Sequence, residues 1–263
     1  MEDTFKNLDR LDPWIQKQVI PFCQRMLDCF PGRISSICLY GSAAVGDYIP
    51  KRSDINIMIM VDRLGMEELQ TCLKLIKKGR KKRITAPLFL TAEHIHTSAD
   101  AFPIEFLEMK EKHIHIYGMD PFLDLIIDPK NLRLQCEQQI KGKLIRMRQA
   151  YLEAGLKKRQ ILGLLITSFT SLLPVLRNTI RLMEPTAMPP KSNQEIILRV
   201  CKDFQLDNEV FLNILKIKKG FVKPDKEMVH SIFEDYIYNL TDLAKKIDQI
   251  KVDCICIEDP EAL

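Results

Sequence analysis

The sequence predicts an α+β protein in which a domain built on a mixed β-sheet is followed by a helical bundle. Two short apolar runs, Ile34 to Tyr40 and Ile55 to Val61, have the length of buried strands, while long amphipathic segments fill the second half of the chain. The step Asp120-Pro121 separates the two patterns, since proline disfavours helix at the residue before it. We therefore predict a sheet domain over residues 1–120 and a helical bundle over residues 121–263.

The elements of the sheet domain are predicted from the spacing of apolar residues. In chain order they are a helix over 11–30, a strand over 34–40, a small helix over 43–47, a strand over 55–61, a helix over 66–78, a strand over 85–91, a short helix or turn over 92–99 and a strand over 104–109. Polar and apolar residues alternate over 113–118, and this segment is either a fifth short strand or an extension of a helix. Pro87 suggests that the strand over 85–91 lies at an edge of the sheet or contains a bulge.

The bundle is predicted as about five helices because apolar residues recur there every three or four positions. The segments are 131–154, 158–183, 193–204, 207–216 and 225–250. The tail over 251–263 is ambiguous between a strand edge and a surface segment.

Composition predicts a soluble globular protein. Hydrophobic residues make up 46% of the 263 positions and charged residues 28%, and a net charge of +4 is too mild to indicate a nucleic acid partner. The start of the chain lacks an apolar signal segment, and the apolar stretch Ile161–Phe169 is too short to span a bilayer. Eight scattered cysteines without a CxxC pair indicate free thiols. We therefore expect a cytoplasmic protein with no membrane partner, and leave a homodimer open.

The chemistry-bearing residues lie around the two N-terminal strands. Gly41 and Ser42 end the first strand, where a residue without Cβ lets backbone N–H groups approach an anion. Ser53, Asp54 and Asn56 open the second strand. Residues 54 and 56 of a strand share one face, about 6.6 Å apart, close enough for a shared hard cation. The pattern predicts bound phosphates beside a metal ion; the plainer alternative is an ordinary turn with Asp54 at a strand end.

This stretch resembles the GS…DxD motif of the DNA polymerase beta-like nucleotidyltransferase superfamily, in particular its minimal and aminoglycoside-modifying branches. Gly41-Ser42 is followed by eleven residues, 43–53, and then by Asp54-Ile55-Asn56, with Asn56 in place of the second aspartate. The resemblance covers roughly residues 30–118.

The resemblance implies Mg²⁺ (or Mn²⁺) with a nucleoside triphosphate, and transfer of a nucleoside monophosphate to a hydroxyl of a small molecule or protein. It assigns nucleotide binding to Gly41, Ser42 and Ser53. The family uses three carboxylates to hold two metal ions. Asp54 matches the first, Asn56 is a neutral second, and the strand after the following helix carries no acid.

Glu105, on the predicted strand over 104–109, is the nearby substitute for the third carboxylate, with an outward-facing surface residue as its equal alternative. The implied catalytic residues are then Asp54 and Glu105, and the implied metal ligands are Asp54, Asn56 and Glu105. The altered ligands also support a second hypothesis, a catalytically degenerate regulatory protein that binds nucleotide or only a partner. The basic run over 77–83 is either a solvated loop or a surface that attracts a polyanion.

Overall fold

The computed structural model describes residues 5–46, 48, 53–184, 189–190 and 192–252. Contacts divide the chain into two compact units, Met1–Ile126 and Ile127–Leu263. The first unit carries a sheet with surrounding helices. Its elements are α1 (Pro13–Cys29), β1 (Ile34–Tyr40), β2 (Asn56–Val61), α2 (Met66–Arg80), β3 (Leu88–Leu90), α3 (Ala92–Ser98), α4 (Pro103–Glu111) and β4 (His113–Gly118).

The sheet of the first unit is mixed, as predicted. Its strand order is β3-β2-β1-β4, with β1 antiparallel to both β2 and β4, and β2 parallel to β3. Strand β3 lies at an edge, the position that Pro87 suggested. In the β1–β2 register, Tyr40 pairs with Asn56. The end of β1 and the start of β2 are therefore adjacent, so the two halves of the sequence motif meet in space.

The core of the first unit lies between the sheet and helix α1. The buried side of α1 contributes Ile15, Val19, Phe22 and Met26 to the same apolar cluster as residues from β1 and β2. Burying a side chain of this size stabilises the fold by about 1.5–3 kcal/mol. This cluster fixes the two strands that carry the candidate site.

Three predictions for the sheet domain need correction. Residues 104–109 form helix α4 instead of a strand: Pro103 occupies the first helical turn, where its missing N–H costs nothing, and a short apolar run does not distinguish helix from strand. The strand over 85–91 shortens to β3, preceded by an isolated bridge between Ile55 and Ile84. The predicted helix over 43–47 is a 3₁₀ helix over Gly41–Ala43 followed by turns, and position 47 lies outside the described residues.

In the described residues of the second unit every regular element is an α-helix, and all five predicted helices are present. They are α5 (Pro129–Ala154), α6 (Lys158–Met183), α7 (Asn193–Asp203), α8 (Asn208–Lys218) and α9 (Lys226–Asp248). The prediction for the tail concerns residues that, from 253 onward, lie outside the described part of the chain.

Helix α6 is longer than the apolar stretch recognised in the sequence. By length and composition alone its 26 residues could cross a membrane, a test that core helices of soluble proteins also pass. Here 44% of its most apolar window is buried, and the helix contacts α5, α7, α8 and α9. Asn178 and Arg181 are among its buried residues, and the Arg181 guanidinium donates to the Asn178 side-chain oxygen at 2.7 Å. The packing accounts for the apolar character of α6.

Candidate functional site

The turn after β1 requires glycine for two reasons. Gly41 has a φ of 75°, in the left-handed region that other residues adopt at a cost. A Cβ at this position would also lie 3.1 Å from the side-chain nitrogen of Asn56. Gly41 therefore lets the backbone turn sharply while the Asn56 amide packs directly against it.

Ser42, the second residue of the turn, is half-buried, and its hydroxyl forms no hydrogen bond with the described residues. A hydroxyl at such a position is a donor suited to an anionic oxygen. The geometry is compatible with the phosphate-binding role predicted for Gly41 and Ser42.

Asn56 is tied to the neighbouring chain segment through its amide oxygen. The Thr85 hydroxyl donates to Asn56 Oδ1 at 3.1 Å and also lies 3.3 Å from the Ile55 carbonyl oxygen. The backbone N–H of Thr85 donates to the same carbonyl at 3.0 Å, next to the bridge between Ile55 and Ile84. Asn56 Oδ1 therefore already accepts a hydrogen bond at the oxygen that would have to face a metal ion.

Asp54 is paired with an arginine. Nη2 of Arg83 lies 2.9 Å from Asp54 Oδ1, and Nε of the same guanidinium donates to the Ser53 carbonyl at 2.9 Å. Arg83 has a φ of 61°, an uncommon backbone conformation for a residue with a side chain. The pair is accessible, with 54% of the Asp54 side chain and 37% of the Arg83 side chain exposed. The last residue of the predicted basic run thus sits at the candidate site.

Glu105 lies on α4, in its first turn, and is exposed. The expectation that it stands on a strand of the sheet was wrong, and with it goes the reason for placing it near Asp54. A role for Glu105 as a metal ligand or catalytic residue stays a prediction.

The described side chains around Asp54 do not fit the two-metal arrangement that the resemblance implies. Two Mg²⁺ ions need several anionic oxygens, since these hard cations bind carboxylates in preference to neutral groups. Here one carboxylate is engaged by Arg83, the second position is a neutral amide, and the neighbouring segment presents the hydroxyl of Thr85. Over the described ranges, no three His, Cys, Asp or Glu side chains gather as a metal site.

The structure adds two residues that the sequence did not single out, Thr85 and Arg83. Thr85 is the first residue of the predicted strand over 85–91, on which the resemblance places a third carboxylate. The sequence therefore indicated that this position lies near Asn56. Arg83 was hidden in a run of six basic residues, in which nothing marks one as different. Its positive φ, which turns it back toward Asp54, is a property of the folded chain.

Comparison with known proteins identifies the fold. No protein-family model matches the chain, and no curated protein matches its sequence. Among solved structures, the chain is similar to spectinomycin adenyltransferase AAD(9) from Enterococcus faecialis, solved with ATP and spectinomycin. The TM-score is 0.52 at 12% identity, over 86% of this chain and 98% of that one. The chain therefore has a nucleotidyltransferase-like α+β fold, which is similar to that of an aminoglycoside-branch enzyme.

Proposed function

We propose that this protein binds a nucleoside triphosphate at the Gly41–Ser42 turn without a catalytic metal pair, and that it does not transfer a nucleotidyl group efficiently. The first unit, with its sheet, would be the nucleotidyltransferase-like domain. The proposal is the second of the two hypotheses that the sequence raises. The similar adenyltransferase, whose structure contains ATP, supports the nucleotide as ligand.

The ion pair between Arg83 and Asp54 carries the proposal. In-line nucleotidyl transfer develops negative charge on both the attacking and the leaving oxygen, and the two metal ions stabilise that charge. A site whose one matched carboxylate faces a guanidinium attracts a second cation weakly. Arg83 instead supplies a fixed positive charge, and arginine is well suited to phosphate because its planar N–H groups bind two oxygens at once.

Arg83 would reach the phosphates by leaving Asp54. An exposed ion pair stabilises a protein by only about 0–1 kcal/mol, so a triphosphate with several negative charges competes with it readily. The half-buried Ser42 hydroxyl and the turn at Gly41 would complete the phosphate site. In this arrangement Asp54 holds Arg83 in place in the absence of nucleotide, and its own negative charge opposes nucleotide binding.

The test is ATP titration calorimetry with the full chain, once in EDTA and once with Mg²⁺, together with an assay for pyrophosphate release. We expect ATP to bind in EDTA as tightly as with Mg²⁺ or more tightly, because the metal reduces the charge that Arg83 attracts. Binding that requires Mg²⁺, or pyrophosphate release above the background without protein, would contradict the proposal. A cytoplasmic location and a homodimer stay predictions.

A further inference from the structure

An aromatic pair lies at the edge of the candidate site, and neither of its members was assigned a role by the sequence. Trp14, in the first turn of α1, stacks on Tyr48 with ring centroids 5.5 Å apart and an angle of 28° between the planes. Asp12 fixes the start of the helix by accepting a hydrogen bond from the Trp14 backbone N–H at 2.7 Å. The helix cap therefore fixes the Trp14 backbone, and the stacked tyrosine supports its ring.

Trp14 differs from the other large apolar residues of α1. The residues Ile15, Val19 and Phe22 are buried against the sheet, whereas 43% of Trp14 is exposed. A tryptophan left in contact with water keeps a wide, rigid aromatic surface that a ligand can cover at little entropic cost. Core packing thus explains why α1 has apolar residues at its buried positions, but it does not explain the exposed ring of Trp14.

Tyr48 contacts the Trp14 ring and is also close enough to the proposed phosphate site to be affected by its charges. It lies in the segment between the Gly41–Ser42 turn and Asp54, and its hydroxyl is buried without a hydrogen-bond partner in the described part of the chain. Burial raises the pKa of Tyr48, and the charges of Arg83, Asp54 and Asp12 act on the same hydroxyl. The hydroxyl end of the tyrosine is thus within electrostatic reach of the Asp54–Arg83 pair, while its ring supports Trp14.

We propose that Trp14, supported by Tyr48, is the platform on which the base of the bound nucleoside triphosphate stacks. The inference rests on the proposed function, because it places the base of a nucleotide whose phosphates are bound at Gly41, Ser42 and Arg83. Stacking on an aromatic side chain tolerates any base, since every base has a π face. The platform therefore accounts for affinity toward the nucleoside part, and it does not select one base.

The experiment compares ATP with inorganic tripolyphosphate, which has the phosphates and no base. In EDTA we expect ATP to bind roughly tenfold more tightly than tripolyphosphate, the order of magnitude of one base stacked on an aromatic ring. Trp14→Ala should remove this difference and leave tripolyphosphate binding unchanged, while Trp14→Phe should keep most of it. Phe221→Ala, which removes an aromatic ring 76% exposed elsewhere in the chain, is the control and should change neither affinity.

Fluorescence gives a second readout, because Trp14 is the single tryptophan of the chain. ATP should quench its emission and tripolyphosphate should not. Equal affinities for the two ligands in the native protein would overturn the platform and leave the phosphate site standing. The platform would also be overturned if Trp14→Ala, shown to be folded by circular dichroism, lost affinity for ATP and for tripolyphosphate by the same factor. Failure of both ligands to bind the native protein would overturn the proposed function itself, and the platform with it.

Discussion

The guanidinium of Arg83 lies 2.9 Å from the carboxylate of Asp54, the one acidic residue of the sequence motif that matches a metal ligand of the nucleotidyltransferases. A cation of the protein itself is therefore paired with the carboxylate to which the sequence resemblance assigns a metal ion. The second ligand position, Asn56, is neutral and accepts a hydrogen bond from Thr85. Nucleotide binding and nucleotidyl transfer are separable in such a site.

Replacing Arg83 by glutamine should weaken ATP binding in EDTA by roughly tenfold or more, because a charge-assisted contact to phosphate is lost. Arg83→Lys should lose less affinity, since it keeps the charge but loses the planar pair of donors. The measurement is titration calorimetry at two salt concentrations, and the salt dependence should decrease in Arg83→Gln. Thermal unfolding should change little, because the ion pair is exposed. Unchanged ATP affinity in Arg83→Gln would exclude Arg83 from the phosphate site.

Restoring carboxylates should restore metal binding. Asn56→Asp adds a charge beside Asp54, and Thr85→Asp adds one on the neighbouring segment, so the double variant presents three carboxylates. We expect Mn²⁺ affinity, measured by titration, to rise roughly tenfold or more in the double variant, because three carboxylates attract a hard cation more strongly than one. Without metal the same charges repel, so the variant should melt at a lower temperature than the native protein. Mn²⁺ affinity equal to that of the native protein would mean that residues 56 and 85 do not face a shared site.

Gly41→Ala should destabilise the fold more than the matched variant Gly46→Ala. Both glycines have positive φ, 75° and 80°, so each substitution incurs about 1–2 kcal/mol of backbone strain. At Gly46 the added methyl would meet no atom of the described residues within 4 Å, whereas at Gly41 it would lie 3.1 Å from the Asn56 amide. The loss of stability in each variant is measured as the change in the free energy of unfolding from urea titration. If the excess at Gly41 persists in an Asn56→Ala background, its cause is not the contact with Asn56.

The ion pair between Arg33, the residue before β1, and Glu68 of α2 should make stability depend on pH. The pKa of Glu68 is lowered most by a hydrogen bond from the backbone N–H of Glu68 to its own carboxylate. Hydrogen bonds from the Arg33 guanidinium and from the Gly65 backbone N–H lower this pKa further. Because the folded pKa is below the ordinary glutamate value, this contribution is complete above that value and disappears as the pH falls through the folded pKa. The native protein should therefore melt at a higher temperature than Glu68→Gln at pH 7, and the gap should close in acid. Glu67→Gln, which removes a carboxylate from the same helical turn, is the control. A gap that stays constant down to pH 2 would contradict the assignment.

The sequence predicted the architecture well because its signals are local. The apolar runs at 34–40 and 55–61 and the helical periods beyond residue 121 each determine their own element. Residues 104–109 were wrongly predicted as a strand because six residues with four apolar side chains satisfy either period, and Pro103 in the first helical turn favours the helix that the structure shows. For the site, the sequence pattern puts Gly41 at the end of one strand and Asn56 at the start of the next, and the observed strand register makes them neighbours. The contacts of Arg83 depend on how the segment after α2 turns back, and no local pattern encodes that turn.

The variant Asp54→Asn tests the central claim most directly, because the two accounts of this site predict opposite results. Where Asp54 holds a catalytic metal, its loss removes metal-dependent nucleotide binding. In a site where Asp54 holds Arg83, the substitution removes a negative charge from the phosphate site and releases the guanidinium toward the nucleotide. We predict that Asp54→Asn binds ATP as tightly as the native protein or more tightly, both with Mg²⁺ and in EDTA, measured by titration calorimetry on protein shown to be folded. A loss of ATP affinity of tenfold or more in this variant would contradict the account.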